Sequence, residues 1–154
     1  MRIRFIFIGR AGQGEAQQLT ADYLRRIRKS CPAEMIEVRP ATGRSLRGAT
    51  RSERESRSAL ALVGPRETLV ALDAGGAAMT SEQFARWLDR ALQAGPAVSF
   101  VVGGAEGLSD ALRRRADLLL SLSSLTLPHA LARAVLTEQI YRAFSIFRGA
   151  PYHR

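Results

Sequence analysis

The chain has a single cysteine, Cys31, so no intrachain disulfide can form, and a reducing, cytoplasmic setting is expected rather than secretion. Lysine is almost absent: Lys29 stands alone among 23 basic residues, and every other base is arginine. No apolar run approaches the roughly 18 residues that a membrane span requires. The apolar opening, Met1 to Ile8, is interrupted by Arg2 and Arg4 and lacks a small-residue cleavage pattern, which argues against a signal peptide. No membrane contact is therefore expected. Acidic residues number only 14, which leaves a net charge of +9 and makes polyanions the expected partners. With 154 residues, 46% of them hydrophobic and 24% charged, the composition fits one soluble domain, residues 1–154. Folding at this length removes roughly 70% of the unfolded chain's surface from water, enough for a core without staples.

Periodicity divides the chain into alternating strands and helices. Ile3 to Ile8 reads as a strand buried on both faces, and Leu19, Tyr23, Leu24 and Ile27 recur at helical spacing within Glu15 to Lys29. Met35 to Val38 reads as a second strand, closed by Pro40. Residues 41–57, carrying Arg44, Arg47, Arg51, Arg54 and Arg57, read as a mobile basic loop running into a helix that ends near Val63. Thr68 to Asp73 is a third strand, followed by a turn at Gly75-Gly76. Thr80-x-x-Gln83 has capping-box spacing for a helix that turns Phe84, Trp87, Leu88, Ala91 and Leu92 inward. Ala97 to Val102 is a fourth strand, Ser109 caps a short helix through Arg115, and Leu118 to Leu122 is a fifth strand. The last helix, Ala130 to Phe147, is apolar almost all round, through Leu131, Val135, Leu136, Ile140, Tyr141, Phe144 and Phe147. A second buried face against a partner chain would absorb the excess. The fold class is α/β, a mainly parallel sheet flanked by helices, whose ligands sit beyond the carboxyl ends of the strands.

Three segments could carry chemistry. Gly103-Gly104-Ala105-Glu106-Gly107-Leu108-Ser109 follows a buried strand, and its glycines allow either close approach of a ligand to the backbone or a tight ligand-free turn. Gly9-x-x-Gly12-x-Gly14 also follows a strand, but its spacing reverses the dinucleotide fingerprint and no P-loop lysine follows, so it reads as a turn. Hydroxyls and leucines alternate in Ser121-Leu122-Ser123-Ser124-Leu125-Thr126-Leu127-Pro128-His129, as expected of an extended lining of an apolar slot or of an edge strand leading into a helix. Glu138 and Arg142 have the favourable order for a helical ion pair. The tail Pro151-Tyr152-His153-Arg154 is either a frayed end or a place where a ring stacks on an unpaired base and an arginine holds phosphate.

Phe100 to Ser109, Ser121 to His129, Glu138 to Ala143 and Pro151 to Arg154, with Tyr23 to Arg26 and Leu72-Asp73, resemble in order and spacing the SPOUT class of methyltransferases, and within it the small bacterial enzymes that act on large-subunit ribosomal RNA. The resemblance spans nearly the whole chain and is least evident at residues 39–57. It implies a SPOUT-type fold with a C-terminal trefoil knot, a topology that the general rules of chain connection would have discarded. It also implies S-adenosyl-L-methionine as cofactor and a homodimer in which one subunit's tail completes the other's site. The implied reaction methylates N3 of a pseudouridine in 23S rRNA within the assembled ribosome. Carried over motif by motif, Leu72, Gly103, Gly104, Leu122, Ser123, Ser124, Leu125, Thr126 and Leu127 would form the cofactor pocket.

The sulfonium already activates the methyl group, so no metal is needed; the protein must align it and exclude water. The protonated N3 requires a base or a field that favours its anion. His153 is the first candidate for base and Tyr152 for stacking or proton relay, with Arg154 and Arg142 for phosphate or developing-anion contacts. His129, beside Pro128, reads as structural. The competing function is a noncatalytic, ribosome-associated RNA-binding protein, which the charge supports equally and cofactor binding would discriminate. A nucleotide-binding oxidoreductase is disfavoured by the missing fingerprint.

Overall fold

The computed structural model describes residues 1–10, 12–43 and 47–153, His153 by its backbone only; Arg44 and Arg154 lie outside the described residues. The strands are β1 (Ile3–Ile8), β2 (Ala33–Val38), β3 (Thr68–Ala78), β4 (Val98–Val102) and β5 (Leu118–Ser121). Between and after them run α1 (Glu15–Ile27), α2 (Ala49–Leu60), α3 (Ser81–Ala94), α4 (Asp110–Arg115) and α5 (His129–Phe147), and a short 3-10 turn covers Pro151–His153. All pairings are parallel, in the order β2-β1-β4-β3-β5. None of the described helices is long and apolar enough to cross a membrane.

Alternation along β1 explains the two-sided burial. Phe5 and Phe7 point to one face, where they pack with Leu24 and Ile27 of α1, Phe84 and Leu88 of α3, and Leu136, Ile140 and Phe144 of α5. Ile6 and Ile8 point to the other, against Ala59 of α2, Leu108, and Leu112 of α4. The excess apolarity of α5 is thereby sorted. Leu136, Ile140 and Phe144 belong to the chain's own core, whereas Leu131 and Phe147 stay exposed. At the head of α3 the expected capping box is formed: Gln83 N donates to Thr80 Oγ1 at 3.2 Å, and Thr80 N to Gln83 Oε1 at 2.8 Å.

The largest differences from the sequence reading are at two boundaries. The helix α2 begins at Ala49, inside the segment read as a loop, because its inward face consists of Ser52, Glu55, Ser56 and Ala59, which hydrophobic periodicity does not detect. The strand β3 continues through Gly75-Gly76, read as a turn, to Ala78. Its pairing with β5 breaks after Leu72↔Leu120 and resumes at Ala77↔Leu120, so the intervening residues bulge out of register. Gly76 makes the bulge possible, since a Cβ there would stand 2.6 Å from the carbonyl carbon and oxygen of Leu119. Gly76→Ala should therefore destabilise the protein by about 1–3 kcal/mol, the usual cost of overpacking. Urea denaturation would show this as a lower midpoint at unchanged slope, and an unshifted midpoint would contradict the tight approach.

Candidate functional site

The bulge of β3 and the loops after β4 and β5 converge at the carboxyl edge of the sheet, and with the first turn of α5 they enclose a cavity of about 480 Å³. The position is the one expected of an open parallel sheet, and the size lies within the range of small-molecule sites. Of the residues singled out as cofactor-binding, Leu72, Gly103, Gly104, Leu122, Ser123, Leu125, Thr126 and Leu127 line it, whereas Ser124 does not. His129, read as structural, is also in the wall.

The glycine loop is shaped by its own packing. Gly107 sits at φ +72°, a conformation open to glycine, and its N–H donates to Gly104 O at 3.1 Å to close the turn. A Cβ on Gly103 would stand 3.1 Å from the carbonyl carbon of Gly107, so glycine is needed there for the loop to fold back on itself. Beneath the loop lies the polar face of α2: Ser52 Oγ donates to Gly107 O at 3.3 Å, and Ser109 N donates to Ser56 Oγ at 2.9 Å. Ser109 in turn caps α4 by accepting from Leu112 N at 3.2 Å, as its position suggested. Glu55, almost fully buried beside Gly104, accepts from Ala41 N at 3.0 Å and from Arg51 Nε at 3.2 Å. The basic segment and the cavity loop thus meet through one helix.

The segment 122–127 contributes backbone. Leu125 N donates to Ser123 Oγ at 2.9 Å and Ser121 Oγ donates to Ser123 O at 3.0 Å, but no backbone–backbone hydrogen bond involves residues 122–127 among the described residues. Backbone polar groups need partners once water is excluded, so a ligand entering this cavity meets unspent donors and acceptors between leucine side chains. The arrangement suits a ligand that offers polar atoms to backbone and an apolar face to leucine side chains.

Two charged side chains in the wall were not singled out. Arg113 Nε donates to Asp73 Oδ2 at 2.6 Å, and Gly75 N donates to Asp73 Oδ1 at 2.8 Å. Burial pushes the Asp73 carboxyl up, but the Gly75 N–H and the Arg113 guanidinium outweigh it and hold the group below its ordinary value of 3.8. Charge in an arginine-rich chain gave no reason to choose this pair.

Arg142 and Tyr152 lie elsewhere. The α5 helix carries His129 at the cavity and Arg142 at its other end, about 20 Å further along at 1.5 Å rise per residue. There Arg142 Nη2 donates to Glu138 Oε1 at 2.6 Å and Arg142 Nη1 to Tyr152 O at 3.5 Å, with the guanidinium 5.0 Å from the centre of the Tyr152 ring. Burial first, then the hydrogen bond with Tyr23 and the Glu138 charge, push the Tyr152 hydroxyl far above its ordinary value, so it stays protonated in neutral solution.

A family model described as "Predicted SPOUT methyltransferase" matches residues 1–153. The chain is 42% identical over 154 residues to the ribosomal RNA large subunit methyltransferase H of Gemmatimonas aurantiaca, with both chains covered in full. The proteins of that name from Anaeromyxobacter sp. (strain Fw109-5) and Streptococcus sanguinis are 42% and 37% identical, again over the full length of both chains.

The depressed Asp73 carboxyl sets a pH signature. A carboxylate whose folded pKa is lowered adds stability that is complete above its unfolded pKa and lost as pH falls through the folded value. The melting-temperature gap between the native chain and Asp73→Asn should be full at pH 7 and close below pH 3.8. A gap that stays constant from neutral pH into that range would contradict the ion pair.

Proposed function

We propose that the chain, which belongs to the SPOUT methyltransferase family, transfers a methyl group from S-adenosyl-L-methionine to N3 of a pseudouridine in 23S rRNA of the assembled ribosome. The observation that carries this reading is the cavity at the carboxyl edge of the sheet, walled by leucines and by the unspent backbone of residues 122–127. The full-length similarity to proteins named ribosomal RNA large subunit methyltransferase H supports the choice of substrate, and the net charge of +9 suits a ribosomal target. The trefoil knot implied by the family would be tied by these same C-terminal loops.

The cofactor supplies a methyl group already activated on a sulfonium. The protein's part is alignment, desolvation and removal of one proton. Backbone groups of 122–127 and of Gly103-Gly104 hold and orient the nucleoside portion, while Leu72, Leu122 and Leu127 keep water from the transfer path. His153 takes the N3 proton as the ring nitrogen becomes nucleophilic. Arg154 has the charge to meet the developing anion or a neighbouring phosphate. Arg142, engaged by Glu138 and Tyr152, serves from behind by fixing the tail.

The cavity and Tyr152 lie toward opposite ends of α5, so among the described residues one chain does not bring cavity and tail together. The reading therefore requires a homodimer in which the tail of one protomer reaches the cavity of its partner. Exposed Leu131 and Phe147, and half-buried Val135, supply apolar surface on α5 for that contact. A noncatalytic RNA-binding protein of the same charge would have no use for such a cavity, and calorimetry with S-adenosylmethionine separates the two.

Deleting Tyr152 to Arg154 should abolish methyl transfer to ribosomes while leaving cofactor affinity within about twofold, since no described residue of the tail lines its own chain's cavity. His153→Ala should lower the single-turnover rate by roughly 10² to 10⁴, with partial recovery at higher pH, as expected for loss of a general base. Mass mapping of the rRNA locates the methyl group. A tail-deleted protein that still methylates, or a small loss at His153 without pH rescue, would refute the assigned roles.

A further inference from the structure

Tyr152 is held by a directed chain of hydrogen bonds that begins at Tyr23, a side chain no function so far uses. Tyr152 lies with its hydroxyl 2.8 Å from that of Tyr23 on α1 and 3.2 Å from Glu138 Oε1 on α5. A phenol has one proton to give. If Tyr152 gives its proton to the carboxylate, which can only accept, Tyr23 must give its own to Tyr152. The order is then Tyr23 to Tyr152 to Glu138. The same carboxylate oxygen accepts from Arg142 Nε at 3.0 Å and Nη2 at 2.6 Å, and its other oxygen accepts from Gln139 Nε2 at 2.7 Å. Gln139 Oε1 accepts in turn from Ser81 Oγ at 2.7 Å, so the network reaches α3.

Packing alone does not account for this placement. The Tyr152 ring meets Tyr141 edge-on at 4.8 Å, but Tyr152 also borders a second cavity of about 440 Å³ shared with Phe144 and Arg148. With open space on one flank, the ring's position depends on the polar contacts at its tip. These contacts join the first helix, the last helix and the residue immediately before His153.

We propose that Tyr23 and Glu138 are positioning residues that latch the Tyr152 hydroxyl between them and so fix where the His153–Arg154 end of the chain is presented. The inference rests on the methyltransferase reading of the tail, but it concerns Tyr23 on α1, to which that reading gives no role, and Glu138 on α5, which it uses only to engage Arg142. Neither touches the reacting atoms; both act through Tyr152.

The test uses the full-length protein with ribosomes lacking the modification, and compares Tyr23→Phe, Tyr152→Phe, the double variant and Glu138→Gln. Phenylalanine keeps the rings and their packing. Each single tyrosine variant should lower the single-turnover rate about two- to tenfold, the worth of one net hydrogen bond, with the loss in kcat rather than KM. Glu138→Gln should cost on the order of tenfold or more, because Arg142 also loses its counter-charge. Because Tyr23 acts only through the Tyr152 hydroxyl, the double variant should be no slower than Tyr152→Phe. Cofactor affinity by calorimetry should stay unchanged, and amide hydrogen exchange at residues 149–153 should rise in every variant. Native rates, or multiplying losses in the double variant, would overturn the latch, as would unchanged exchange in the tail. A native protein that binds no cofactor and transfers no methyl group would instead sink the functional reading, and the exchange measurement would still report on the latch by itself.

Discussion

The buried guanidinium of Arg133 is the contact on which the rest of this architecture depends. It lies on α5 with no exposure to solvent, and Nη2 donates to the carbonyls of Ile8 and Gly9, both at 2.9 Å, at the carboxyl end of β1. The charge sits 4.8 Å from the centre of the Phe7 ring and 3.9 Å from Glu37 Oε1. Burial pulls its pKa down and Glu37 pushes it back up, but a guanidinium stays charged in a protein, so the charge must be accommodated. Removing one partner of a buried charge commonly costs about 3–5 kcal/mol. Arg133 thereby pins the beginning of α5 to the carboxyl end of β1, and α5 then carries His129 and Ala132 into the cavity wall and Glu138 and Arg142 toward Tyr152.

The second constraint is polar as well. The α2 helix presents Ser52, Glu55 and Ser56 inward; Ser52 secures the turn at Gly107 and Ser56 the head of α4, while Glu55 holds Ala41 N and Arg51. A purely apolar face could bury the helix but could not hold the loop's backbone groups, and a cavity meant to bind through backbone needs that backbone held still. The bulge in β3 plays a matching part on the other side of the cavity. It turns Asp73 into the wall, where Gly75 and Arg113 fix it, and it is possible because Gly76 passes against Leu119 without a side chain.

Where burial is apolar and local, the sequence is a good guide. The β1 strand is recovered residue for residue, the Thr80–Gln83 and Ser109 caps form as their spacing indicates, and the leucine–hydroxyl alternation marks a real cavity lining. Where burial is polar, or the contact is distant in the chain, the signal disappears. An arginine with no solvent exposure looks like any other in a chain whose bases are almost all arginine, and the inward serines of α2 resemble a loop. The Gly75-Gly76 pair carries the mark of a turn, because a bulge and a turn ask the same freedom of the backbone. The contact between Tyr23 and Tyr152 joins the first helix to the last residues, and no periodicity predicts it. Gly103 lines the cavity, and the space it leaves is filled by its own loop.

The central claim is that a working site combines the cavity of one protomer with the tail of another. Subunit mixing tests it directly: a chain carrying Gly103→Val, with its cavity loop distorted but its tail intact, is combined with a chain lacking Tyr152 to Arg154, each inactive alone. Mixed dimers hold one native cavity facing one native tail, so methyl transfer to ribosomes should return on mixing, at a fraction of the native rate. If the mixture remains as inactive as its components while mixed dimers are shown to form, cavity and tail do not meet across the interface, and the account is wrong.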